Sequence, residues 1–386
     1  DPRIAAAVPC QATYTRRGQL DGGTDLDMEQ WCPLAWREGF DVAEMAVLFA
    51  PRPLRICAEY GCASQGGVFR LLQPLYQRLG RADDINIAAA SMEHAMDQSC
   101  RELALNWLFR HLRPADPQAV EPGMPGFDRF HQRLTARVAG ADARGCGVVA
   151  LAQRRLAERP QPPGDPRRAL RENPFLRPFR PSATRPPVWI EAGRGARGVA
   201  VIADCDGGDS PWARRQARRA ARTARRVVRV DVFATGAAGP RVPLPAGSFV
   251  AKYPRVYGSE NRYAMWAFMA GTSPAGLALT DLRAALRLAG AAAGEPVRLA
   301  AHGWPGIACI LLSVTEPRVE ACAVSGMPER LADVAYATET SADFIYVVPG
   351  LAAVTDLDAC MASRPEVRFT VTRPLRLRPT GNGKAP

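Results

Sequence analysis

The sequence is poor in the residues that most metal and redox chemistry needs. It holds only four histidines in 386 residues, His94, His111, His131 and His302, spread far apart. A histidine-built metal centre is therefore not expected. Ten cysteines are present, but none forms a Cys-x-x-Cys pair, which removes the zinc-ribbon and thioredoxin patterns. Most stand inside apolar runs, where a free thiol packs as a small hydrophobe. No apolar run reaches the roughly 18 residues of a bilayer crossing, and no targeting segment is recognisable, so no membrane role is expected. The chain begins on Asp1 rather than Met, which leaves the compartment and any preceding segment open. Nothing in the sequence asks for a cofactor.

What is present is an apolar fraction of 47%, enough for a sizeable core, on a length that suits two domains. The net charge is +12. A basic balance points to nucleic acid or anionic surfaces only when a recognition module accompanies it. No basic motif interleaved with aromatics occurs, so nucleic acid is not an expected partner. Seven arginines between Pro211 and Arg226, beginning at Arg214 and Arg215, read as the solvated face of an amphipathic helix.

Self-similarity sets the organisation. DPRIAAAV at 1–8 is followed by RPLRI at 52–56, and EPRVEACAV at 316–324 by RPLRL at 373–377. The separations are 51 residues from Pro2 to Pro53 and 57 from Pro317 to Pro374. Around each copy, short apolar runs alternate with helical patterns, as in a parallel sheet with right-handed crossovers. The first unit spans 1–113, with strands AAAV, LRICAEY and INIAAAS and a last helix CRELALNWLFRHL. A proline-rich, partly helical connector occupies 114–186. The second unit, 187–386, has strands VWIEAG, GVAVIADC, VVRVDVFATG, VRLAA and VEACAV, and helices beginning near Pro211, in ALTDLRAALRLAG and in IACILLSV. The unbroken apolar strands predict cover on both sheet faces. The fold class is α/β, with doubly wound, mostly parallel sheets.

DPRIAAAV, the Gly-Gly excursion after it, AEMAVLFAPRPLRI and MEHAMDQSCRELALNWLFRHL together resemble the carboxyl-terminal half of an acetylxylan-esterase-like α/β-hydrolase. A weaker resemblance runs from 187 to the end. It implies two tandem, incomplete hydrolase units and carboxylic-ester hydrolysis, with an acylated carbohydrate or small ester as partner and no cofactor. In that family DPRI follows the nucleophile-elbow helix, which puts the first unit's nucleophile upstream of Asp1. The general base falls on His94, between a strand and the last helix, the loop position a triad histidine needs. The acid position falls on Cys62 after Gly61, and a neutral thiol cannot orient a histidine as a carboxylate does. Glu59 and Glu93 are the nearby substitutes, or ordinary polar residues.

The second unit has its own elbow context, VRLAAHGWPGIACILL, a strand, a tight turn and a helix. The nucleophile position there is Gly303, which has no side chain to attack with. Glycine predicts a turn at positive φ, with His302 and Trp304 as flanking residues of a packed turn and room for a restored serine. Ser273 in GTSPAG has the wrong spacing for an elbow. Cys205 to Asp209, after a strand, is an oxyanion-hole loop or a plain glycine turn. The acid position near Thr380 to Asn382 holds no carboxylate, and no final histidine follows RPLRL. The resulting expectation is an esterase-like hydrolase without a complete triad, inactive as it stands. The alternatives are a non-catalytic carbohydrate-binding or scaffold protein, or one permuted sheet shared by both units. The oligomeric state is not legible.

Overall fold

A computed structural model of the chain describes residues 3–10, 15, 34–59, 63–91, 98–112, 164–176, 186–239, 259–336 and 344–375. It contains two compact units, Asp1–Gly145 and Cys146–Pro386. Both are α/β with parallel-rich sheets. Among the described residues, no helix is long and apolar enough to cross a membrane.

The first unit runs through α1 (Val42–Val47), β1 (Leu54–Glu59), α2 (Ala63–Arg78), β2 (Ile85–Ser91) and α3 (Gln98–Leu112). Asp41 starts α1: its carboxylate accepts the Val42 N–H at 2.6 Å, and Glu44 accepts the Asp41 N–H at 2.8 Å, a reciprocal capping box. β1 and β2 pair in parallel, Leu54 opposite Ile85. The expected strand AAAV is reduced to two parallel bridges on the other edge of β1, Ala7–Leu54 and Cys10–Cys57. Alternation along β1 divides its side chains. Leu54 and Ile56 pack with Val68, Leu72 and Tyr76 of α2, while Cys57 packs with Cys100 of α3.

The second unit runs through α4 (Pro166–Glu172), β3 (Val188–Ala192), β4 (Val199–Asp204), α5 (Pro211–Ala220), β5 (Arg226–Val230), α6 (Ser259–Met269), α7 (Pro274–Leu288), β6 (Val297–His302), α8 (Pro305–Thr315), β7 (Val319–Ser325), α9 (Leu331–Tyr336), α10 (Leu357–Ala362) and β8 (Arg368–Thr372). Its six strands lie in the order β3-β5-β4-β6-β7-β8. All neighbours are parallel except edge strand β3, which is antiparallel to β5.

Every residue of β4 is buried. Val199, Val201 and Ala203 join the main core with α7 and α8, while Ala200 and Ile202 pack under Ala213 and Ala217 of α5. Each fully buried valine or isoleucine among them contributes about 1.5–3 kcal/mol, and each alanine about 0.8 kcal/mol. Pro305 to Val314 in α8 are all buried, as befits a helix apolar all round. Cover of both faces does not extend across the sheet. In β6, Val297, Leu299 and Ala301 are buried but Arg298, Ala300 and His302 are not. In β8 the pattern alternates between exposed and half-buried. The physical reason is reach: α5 packs on β4 and β5, and no described helix lies over the same face of β7 and β8.

Two local expectations change. Pro166 to Leu176, within the proline-rich connector of the sequence reading, forms a helix and a 3-10 turn whose Leu170 and Leu176 enter the second unit's core. Its proline density marks a helix start, with Asp165 capping Arg167 N–H at 2.9 Å and Pro166 in the first turn. The RPLR pairing is also displaced. RPLRI leads into β1, whereas RPLRL leaves β8, with Arg373 at φ 50°.

One offset of 315 positions instead relates the two units. It carries Pro2-Arg3 onto Pro317-Arg318. It carries cap Asp41 and α1 onto cap Asp356 and α10, both helices of six residues. It carries the bridges Ala7–Leu54 and Cys10–Cys57 onto the pairs Cys322–Phe369 and Ser325–Thr372.

Candidate functional site at the carboxyl edge of the second sheet

The last residues of adjacent parallel strands form a polar row. Asp204 pairs with His302, His302 with Ser325, and Ser325 with Thr372. Residues paired across parallel strands leave the sheet on one face, so these four side chains share a side. The carboxyl edge of a parallel sheet is also where ligands bind in open α/β folds.

His302 is the centre of the row. Its Nδ1 lies 3.0 Å from Ser325 Oγ, and its ring lies 5.5 Å from Trp212 of α5, centroid to centroid. Gly326, at φ 69°, leaves room for the imidazole: a Cβ there would lie 2.7 Å from His302 Cε1. Asp204 is buried, and its carboxylate accepts from Ser210 Oγ, from Asp206 N–H at 3.3 Å and from Cys205 Sγ at 3.5 Å. Ser210 in turn caps α5 by accepting the Ala213 N–H at 3.0 Å. Asp231, one residue beyond β5, accepts from Gly208 N–H at 2.5 Å and Ala237 N–H at 2.7 Å. It thereby fastens the loop 205–209 to the loop after β5.

Gly303 follows His302 at the turn into α8 and takes φ 70°, as its elbow position predicts. The space beside it is not open. A Cβ on Gly303 would meet Cys205 Cβ and Sγ, each at 2.7 Å. The expectation that a serine would be sterically tolerated is therefore corrected: Cys205 fills the place of the elbow side chain. Burial first, then the carboxylates of Asp204 and Asp206, pushes the Cys205 thiol up to about 12. It is a protonated, weakly nucleophilic thiol at neutral pH.

A carboxylate oxygen of Asp204, Cys205 Sγ and a ring nitrogen of His302 lie within 4.8 Å of one another. A cation there would have to displace the Cys205 proton and compete with the donors already on Asp204.

The proposed base His94 falls in 92–97, outside the described residues, as do Glu93, Gly61, Cys62 and the segment 376–386 that holds Thr380 to Asn382. Glu59 ends β1. Ser273 is wholly buried and caps α7: it accepts the Gly276 N–H at 3.0 Å and donates to Phe175 O at 2.9 Å. Trp304 is buried beneath the turn, and its indole N–H has no partner among the described residues. The sequence reading missed Ser325 and Asp204. The signal available was positional: each is the polar residue that ends a mostly apolar strand.

No family model matches the chain, and no curated protein matches it. Among solved structures it is similar to a Bacteroides fragilis protein titled a "putative acetyl xylan esterase", with 9% identity and a TM-score of 0.44, over 60% of this chain and 76% of that one.

Proposed function

We propose that the chain is built from two tandem esterase-type α/β-hydrolase units, and that the second binds an acylated carbohydrate or small ester without hydrolysing it through the elbow. The observation that carries this reading is Gly303 at φ 70° on the strand-to-helix turn, with Cys205 packed where the nucleophile's side chain would project. An elbow serine attacks because its hydroxyl stands free beside a histidine. Here the hydroxyl is missing, and the nearest sulfur is protonated and donates to Asp204. The offset of 315 positions supports the tandem part. His94 keeps its proposed place as the first unit's general base.

A second reading rests on the 3.0 Å contact between His302 and Ser325. Ser325 Oγ would attack an ester carbonyl as His302 takes its proton, His302 would pass that proton to the departing alcohol, and water would then release the acyl group as the acid, with Asp204 supplying the nearby negative charge.

The experiment is p-nitrophenyl acetate hydrolysis by the full chain, alongside His302→Ala, Ser325→Ala and His94→Ala. The binding reading expects every rate to equal the background without protein. Turnover abolished by both His302→Ala and Ser325→Ala would replace it with the second reading. Turnover abolished only by His94→Ala would place the chemistry in the first unit.

A further inference from the structure

We propose that Cys10, Cys57 and Cys100 form a zinc-binding site in the first unit. Their sulfurs lie within 4.8 Å of one another, although the residues stand 47 and 43 positions apart in the chain. The fold brings them together from three elements. Cys10 bridges Cys57 in parallel register, so the two thiols leave the sheet on one face. Helix α3 packs on β1 and β2 and lays Cys100 over that face. Cys57 and Cys100 are fully buried, and Cys10 is half-buried. The approach from solvent is therefore at Cys10, where a water can complete the coordination.

These thiols differ from the other buried cysteines. Cys309, Cys322 and Cys360 belong to the apolar core of the second unit, where burial is the largest cause that raises them. In the first unit the neighbours are each other. Arg55 lies on the Cys57 face of β1. Its guanidinium donates to Leu103 O at 3.0 Å and stacks over Trp107 at 4.7 Å.

The chemistry selects the ion. Thiolates are soft ligands that favour zinc or monovalent copper over magnesium and calcium. Three thiolates, one Zn²⁺ and the Arg55 cation sum to zero charge in a site that excludes most water, whereas Cu⁺ would leave one negative charge uncompensated. Zinc–sulfur bonds of about 2.3 Å place tetrahedral sulfurs about 3.8 Å apart, a small closure from the observed spacing. Binding converts three thiols and Zn²⁺ into a zinc tris-thiolate and releases three protons, so affinity rises with pH. The inference is independent of the esterase reading.

The test uses the full chain, reduced, freed of reductant under argon and titrated with Co²⁺ and then Zn²⁺. One Co²⁺ per chain should give an intense near-ultraviolet thiolate-to-metal band, which one equivalent of Zn²⁺ abolishes. Cys57→Ser and Cys100→Ser should lose the band, and Cys322→Ser should keep it. Because a core variant can unfold for other reasons, the wild-type chain is also alkylated with iodoacetamide and mapped by mass spectrometry. Zinc should slow labelling of Cys10 at least tenfold. Absence of the band, its survival in Cys57→Ser, or equal labelling of Cys10 with and without zinc overturns the proposal. So does a disulfide within the trio whose reduction yields no zinc binding.

Discussion

The Cys205 side chain stands where any side chain at Gly303 would have to go, with 2.7 Å between its Cβ and Sγ and a Cβ built on that glycine. Residues 98 positions apart thus exclude one another. The turn takes a positive φ and leaves no space for a side chain at Gly303.

Gly303→Ser should therefore cost stability. Overpacking in a tight core costs about 1–3 kcal/mol, and a non-glycine residue at φ 70° adds about 1–2 kcal/mol. Thermal unfolding should show a clear drop for the single variant. The double variant Gly303→Ser, Cys205→Gly removes the clash and should recover part of it. An unchanged midpoint for the single variant would mean that the packing at this turn is looser than described.

Arg364 is 2% exposed and donates to the carbonyls of Ser313, Glu316 and Pro317, joining the end of α8 to the start of β7. Carbonyls at a helix end need such partners when buried. Arg364→Ala should destabilise the second unit by about 2–4 kcal/mol. Arg364→Lys, which cannot fork, should recover less than half of that. Urea unfolding of both variants measures it.

Asp281 carries a pH signature. Burial raises its carboxyl from 3.8 to about 6, against the pull of the Phe233 N–H it accepts at 2.8 Å. Below about pH 4 both folded and unfolded chains hold the proton. Between about pH 4 and 6 the folded chain binds more protons, so this group's contribution to stability falls as pH rises. Above about pH 6 the full cost is present. Asp281→Asn keeps an acceptor for Phe233 and removes the charge. It should stabilise the chain by up to about 3 kcal/mol at pH 7 and leave stability at pH 3.5 unchanged, as read from denaturant unfolding at the two pH values.

Much of the second unit was legible because its strands are short apolar runs and its helices carry start signals. Ser210-Pro211 opens α5 as the sequence predicts, and Arg214, Arg215, Arg218, Arg219 and Arg222 are exposed. Helix α6 is absent from the sequence reading because its segment, SENRYAMWAFM, has little amphipathic contrast. Helix α4 escaped because prolines look alike in a linker and in a first helical turn. The site was less legible for a geometric reason. His302 and Ser325 meet only through the register of β6 and β7, and Cys10, Cys57 and Cys100 only through the packing of α3 on β1. Neither register nor helix docking is written in local spacing.

The central claim is that the second unit has no working nucleophile, either at the Gly303 turn or in the polar row beside it. Its most direct test is labelling of the full chain with a fluorophosphonate probe, followed by peptide mapping. The account predicts no stoichiometric adduct on the second unit in the wild-type chain. A single adduct on Ser325 that disappears in His302→Ala would contradict it, because it would show that a serine beside the elbow is activated by the histidine 3.0 Å away.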